Sequence, residues 1–256
     1  MKTRRLLSRL GKMFPKKCGD PHDFLGLMAG KLPEEVNSVL LVLDFDEFVY
    51  NEMKIRDINP DLIIAHHPFI YGKKKSVFAY DPGRERLCKR LEDDGIALYA
   101  MHTNFDHAKG GMNDALVEQL ELRNAIAEPG VLFMRGGELP FEMSFEEAAN
   151  YIKEKLQISY VKVVKGNNRP IKKVAIIGGG GSSFLRKAHE RGYDLFISGD
   201  IPHYLRRECL RLGFNYVDAP HEIERIFMTS MKRILNEMDS SIEVNIIDHE
   251  EEPDIL

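Results

Sequence analysis

The sequence predicts an α/β protein of two lobes, each with a mixed, mostly parallel sheet under helical cover. Three observations carry that prediction. Short runs rich in Val, Ile and Leu recur along the chain, segments of helical periodicity separate most of them, and the alternation occurs twice. The strand candidates are Val39 to Leu43, Leu62 to Ala65 and Ala97 to Met101, then Lys173 to Ile177, Leu195 to Ser198 and Asn215 to Val217. The helical segments are Gly83 to Asp94, Met112 to Leu120, Ser144 to Leu156, Ser183 to Arg191 and Tyr204 to Leu212, with Ser144 and Glu147 spaced for a capping box. Pro129, Gly130, Gly136 and Gly137 punctuate the middle, so the expected lobes are residues 1–125 and 126–256 with an approximate boundary, and the chain end can return to pack on the first lobe.

At the start, Lys2, Arg4, Arg5, Arg9, Lys12, Lys16 and Lys17 surround Leu6, Leu7, Leu10, Met13 and Phe14. Arg9 and Lys12 interrupt the apolar core a secretory signal needs, which leaves an amphipathic surface helix ahead of a membrane-surface role. The acidic stretch from Ile247 to Leu256 reads as a solvated, frayed end.

The chain has 256 residues, 43% hydrophobic and 30% charged, which is globular composition. A net charge of -4 offers no broad basic field for nucleic acid, and DNA binding is disfavoured. No apolar run approaches the roughly 18 residues of a membrane span, and mean hydropathy is -0.30. Cys18, Cys88 and Cys209 lie far apart without a CxxC pair, which fits neither a disulfide framework nor a thiolate metal site and suits the reduced cytoplasm.

The chemistry gathers where strands end. Leu62 to Ala65 runs into His66, His67 and Pro68, and Ala97 to Met101 runs into His102 and, four residues on, Asp106. Leu195 to Ser198 leads to Asp200 and His203, and Asn215 to Val217 leads to Asp218, His221 and Glu224. Open α/β sheets hold ligands at such carboxyl ends, because the loops there diverge. Each residue also has a plain reading. Adjacent histidines in a regular strand point to opposite faces. Asp106 alone reads as a helix cap, and His221 with Glu224 is a common helical spacing. Convergence outweighs these readings, since imidazole and carboxylate without thiolate suit zinc, iron, manganese or cobalt, and a glutamate can bridge two ions. His102 can be a ligand, an orienting donor or a general acid/base. Asp200, His203 and Asp218 read equally as site wall. The run Gly178 to Ser183 offers either an anion-binding turn or a tight strand-to-helix turn, without the Walker lysine. Lys73, Lys74 and Lys75 read as a solvated loop that can attract phosphates.

These strings together resemble the Nif-three-like dinuclear metal-centre family, often labelled GTP cyclohydrolase I type 2. The resemblance lies in DLIIAHHPFIY at Asp61 to Tyr71, HTNFDHAKGGMNDAL at His102 to Leu116, SGDIPHY at Ser198 to Tyr204 and VDAPHEIERI at Val217 to Ile226, with Asp23 to Leu27 matching an Asp-x-x-Gly-Leu element. It implies a toroidal homohexamer in the compact form, without an inserted middle domain, and two divalent metal ions (zinc, iron or manganese) at the lobe junction. The ligands it implies are His66, His67, Asp106, His221 and Glu224, with Glu224 the bridge and His102 lining the site. Catalytic roles would fall to His102 and Glu224. The function it implies is metal-dependent hydrolysis of a small nucleotide-like or phosphorylated substrate, GTP ring opening being the named candidate. The competing expectation is a non-catalytic metal-binding scaffold or metal-handling interaction protein. Pro220 departs from the family, which usually has glycine there, and so does the acidic end.

Overall fold

The computed structural model describes residues 1–254. The chain forms two compact units. Unit 1 comprises Met1–Lys109 and Phe227–Glu250, and unit 2 comprises Gly110–Ile226 with residues 251–254.

Unit 1 opens with α1 (Thr3–Met13), whose apolar side is buried through Leu6 and Leu10, and continues into buried Phe14. There follow β1 (Gly26–Ala29), β2 (Ser38–Val42), α2 (Glu47–Ile55), β3 (Leu62–Ala65), α3 (Lys74–Tyr80), α4 (Pro82–Asp93), β4 (Ala97–Ala100) and α5 (Thr103–His107). Every residue of β3 is fully buried, which explains its unbroken Leu-Ile-Ile-Ala run: a central parallel strand covered on both faces shows no polar alternation. Val49 and Met53 of α2 and Leu87, Cys88 and Leu91 of α4 share one apolar cluster with Leu40, Ile63 and Leu98.

Unit 2 contains α6 (Met112–Gln119), β5 (Arg123–Ala127), β6 (Arg135–Met143), α7 (Phe145–Leu156), β7 (Lys162–Val164), β8 (Ile171–Ile176), α8 (Leu185–Glu190), β9 (Leu195–Ser198), α9 (His203–Leu212) and β10 (Asn215–Asp218). Its sheet runs β5-β6-β8-β9-β10-β7, with β8, β9 and β10 mutually parallel and the other pairings antiparallel. The chain then completes unit 1 with α10 (Ile226–Met238) and β11 (Glu243–Ile246). There the order is β1-β4-β3-β2-β11, parallel throughout except β1 against β4. Both sheets are mixed, as the sequence predicts, but only that of unit 1 is mostly parallel; among the described residues three of the five pairings in the unit 2 sheet are antiparallel.

The six strands read from the sequence all form. Ser144 closes a capping box with Glu147 at the start of α7. Gly136 and Gly137 depart from expectation, since they lie inside β6 rather than in a linker. A Cβ on Gly136 would fall 1.5 Å from the Tyr193 hydroxyl oxygen, so close packing, not chain flexibility, requires this glycine. The chain end differs too. Ile247 is 1% exposed, and the Glu252 carboxylate accepts hydrogen bonds from the Ser159 backbone N–H and hydroxyl, so this stretch is docked at both points. The last two residues of the expected frayed end lie outside the described residues. No helix among the described residues is long and apolar enough to cross a membrane.

Candidate metal centre

Because β2, β3 and β4 are parallel, their carboxyl ends open on one edge of the unit 1 sheet, bringing Asp44, His66, His67 and His102 together. His66 and His67 do not point to opposite faces. The strand has ended at Ala65, and both histidine N–H groups donate to the Leu43 carbonyl, at 3.1 and 3.0 Å, which curls the backbone. The two ring centroids lie 5.0 Å apart, and the His102 ring is 5.1 Å from His66 and 5.5 Å from His67. One ring nitrogen from each of the three falls within 4.8 Å of the others. Asp106 Oδ1 is 3.4 Å from His66 Nε2.

Asp106 does not cap the following helix. It lies within α5, Gly111 occupies the N-cap of α6, and the Gly110 N–H donates to Asp114 instead. The short α5 thus turns Asp106 back toward the histidine edge.

Each histidine of this edge is held at Nδ1 by an oxygen acceptor. His66 Nδ1 lies 2.9 Å from the Met101 carbonyl, His67 Nδ1 lies 2.6 Å from Asp44 Oδ2, and His102 Nδ1 lies 3.0 Å from Asp23 Oδ1. A carbonyl or ionised carboxylate can only accept, so Nδ1 carries the proton and Nε2 keeps its lone pair. Asp23 also accepts from the Thr103 N–H and hydroxyl. Burial alone would raise its carboxyl, but the hydrogen bonds from His102 and Thr103 outweigh that and hold it below the ordinary carboxylate range.

Unit 2 builds a second group by the same device. Its parallel strands β8, β9 and β10 lead into the glycine run, Asp200 and His221 respectively. Pro220 precedes a 3₁₀ turn, His221–Arg225, and since residues three apart eclipse in such a turn, His221 Nε2 comes 3.1 Å from Glu224 Oε2. Pro220 is therefore compatible with the pairing. His221 Nδ1 is held 2.6 Å from Asp200 Oδ2, and Asp200 adopts φ +55°, a left-handed conformation that a non-glycine residue rarely takes. The Glu224 hydrogen bond, reinforced by Asp200 and opposed by burial, raises the His221 pKa to about 9 in the metal-free chain.

The glycine run forms a tight turn around this pair. The Gly181 and Gly199 N–H groups and the Ser198 hydroxyl all donate to the Gly179 carbonyl, and a Cβ at Gly179 would meet Glu224 Oε1 at 2.0 Å. Asp218, 8% exposed, accepts from the Ile201 N–H and lines a cavity with Asp200 and His221. His203 sits exposed at the start of α9, and among the described residues no interaction places it in this group.

The donor set suits a divalent transition metal. Unit 1 presents three imidazoles with the Asp106 carboxylate, and unit 2 presents the His221 imidazole with the Glu224 carboxylate, nitrogen and oxygen donors of the kind such ions take. Sequence reasoning named Asp200 as a residue of the site wall and missed the other two orienting carboxylates. Asp44 follows β2 as His66 follows β3, so the strand-end rule could have found it; Asp23 follows no strand and had only its place in the Asp-x-x-Gly-Leu element.

The family model described as Duf34/NIF3 (NGG1p interacting factor 3) matches residues 1–253. A Clostridium perfringens protein named GTP cyclohydrolase 1 type 2 homolog is 30% identical, the alignment covering 99% of this chain and 98% of the relative. A Bacillus subtilis protein of the same name is 26% identical over 345 positions, covering 91% of this chain and 92% of the relative, which therefore carries residues that this chain lacks. The crystal structure of a Staphylococcus aureus protein superposes with a TM-score of 0.87 at 26% identity, covering 100% of this chain and 99% of that one.

Proposed function

Because the chain belongs to the Duf34/NIF3 family, we propose that it is a hydrolase dependent on two divalent metal ions and acting on a nucleotide-like substrate, with ring opening of GTP the first reaction to test. The observation that carries this reading is the shared anchoring of four histidines. His66, His67, His102 and His221 each have Nδ1 held by an acceptor, which leaves Nε2 of each ordered ring to meet a metal ion, His221 giving up its second proton to do so. The names of the relatives supply the substrate candidate, not a demonstrated activity.

In this reading His66, His67, Asp106, His221 and Glu224 would hold the two ions. Ions held there would supply Lewis acidity for hydrolysis. Asp44 and Asp200 fix the rings of His67 and His221, so little orientational entropy remains to be lost on binding. His102, set by Asp23, is assigned to moving a proton at its Nε2. The family resemblance further supports a homohexamer, expected in light scattering as six chains of 29.3 kDa.

The test is direct. Metal-loaded protein, its content fixed by elemental analysis, is assayed for formate released from GTP and for consumption of a panel of nucleotides and phosphoesters. Turnover well above that of a His66→Ala control supports the proposal. Two ions per chain with no substrate consumed faster than by the control would leave a metal-binding scaffold and reject the hydrolase.

A further inference from the structure

The cavity beside His221 is small and acidic. Its volume is about 190 Å³, and Tyr160, Lys162, Asp200, Asp218 and Glu222 are among its walls. That is below the roughly 300–1,000 Å³ of a site enclosing a drug-sized ligand, and it suits one ring system better than an entire nucleoside triphosphate. Three carboxylates outnumber the Lys162 ammonium group and the His221 ring that share these walls, and the negative balance disfavours a phosphate chain here. The part of a ligand that enters must bring hydrogen-bond donors.

Asp218 is placed to receive them. It is 8% exposed at the end of β10, and Oδ1 accepts from the Ile201 N–H at 3.3 Å. Among the described residues Oδ2 has no hydrogen-bond partner, although the side chain lines the cavity. This oxygen faces the cavity and is free to accept from a donor that a ligand brings. An ionised carboxylate accepts at two oxygens about as far apart as two neighbouring N–H groups on a planar ring, so it recognises an amidine-like edge. Among purines, guanine offers that edge through N1–H and the 2-amino group. Adenine has no N1–H, and xanthine puts a carbonyl in place of the amine. Tyr160, half-buried at the same wall, supplies an aromatic face for the ring.

We propose that this cavity is a guanine subsite in which Asp218 accepts hydrogen bonds from N1–H and the 2-amino group, with Tyr160 against the ring face. The proposal rests on the nucleotide reading above and assigns which end of the substrate unit 2 holds: the base enters and the phosphates remain outside.

Equilibrium dialysis of the full chain with radiolabelled guanosine, adenosine and xanthosine tests it without requiring turnover. The wild-type chain is expected to hold guanosine at least about tenfold more tightly than the other two. Asp218→Asn replaces one acceptor by a donor, and it should reverse the preference toward xanthosine. Equal retention of the three nucleosides by wild type, or an Asp218→Asn chain that weakens all three alike, overturns the proposal. Should Asp218→Asn lose its circular dichroism signature, Tyr160→Ala stands in; it must weaken guanosine at least about fivefold, and unchanged binding overturns the subsite. Guanosine-selective binding without GTP turnover sinks the hydrolase reading alone. Turnover of another substrate without guanosine binding sinks the subsite alone.

Discussion

Asp23 Oδ1 lies 3.0 Å from His102 Nδ1 across 79 residues of sequence, and the same carboxylate takes the Thr103 N–H. One side chain thus fixes both the ring and the backbone that carries it.

Replacing Asp23 by Asn keeps the shape but removes the charge that selects the Nδ1–H tautomer. Asp23→Asn is expected to lower the proposed hydrolytic turnover by about 100-fold or more, while metal affinity, measured by competition with a chromophoric chelator, and circular dichroism stay unchanged. Undiminished turnover would show that the His102 orientation does not matter to proton transfer.

Two glycines separate stability from site geometry. Gly136→Ala drives a Cβ into the Tyr193 hydroxyl and should lower unfolding free energy in urea by about 1–3 kcal/mol with metal content unaltered. Gly179→Ala instead strikes the Glu224 carboxylate, at a residue with φ +60°, and should reduce the metal retained after dialysis.

Asp94, the C-cap of α4, bonds Lys54 Nζ and the Tyr50 hydroxyl, both on α2, at 2.8 Å each. The Lys54 ammonium group holds its carboxyl below the ordinary range. A depressed carboxylate pKa gives stability that is present above the unfolded-state value and lost as pH falls through the folded one. Asp94→Asn should therefore cost about 0.5 kcal/mol at pH 7, solvent screening keeping it small. The gap from wild type should narrow as pH falls below the ordinary carboxylate range, as followed by urea titration at several pH values.

The thiols should sort by burial. Cys88 and Cys209 are buried, and burial pushes their pKa values up, that of Cys209 to about 12, whereas Cys18 is half-buried. With an aromatic disulfide reagent at pH 8, one thiol per native chain is expected to react promptly, and all three after denaturation. Three fast thiols in the native chain would contradict this packing.

The central strands of both sheets were legible because burial on both faces leaves an unbroken apolar run, as in Leu62 to Ala65. The peripheral strands were not. β5 is exposed along its whole length, and β11 is a four-residue edge strand in which the alternation of Val244 and Ile246 with Glu243 and Asn245 is too short to stand out. The candidate ligands showed as residue types at strand ends. Their mutual placement did not, because the curl at Leu43 that turns His66 and His67 to one edge is made by backbone hydrogen bonds, and Asp44 and Asp23 serve the histidines from remote sequence positions.

The pairing of β11 with β2 has a consequence for biosynthesis. While a ribosome is still producing unit 2, the Ser38–Val42 strand waits with one rim of N–H and C=O groups uncovered. Such a rim is a template for a neighbouring nascent chain. Until Glu243–Ile246 emerge and dock, this first-made sheet is the part of the chain most in need of a chaperone.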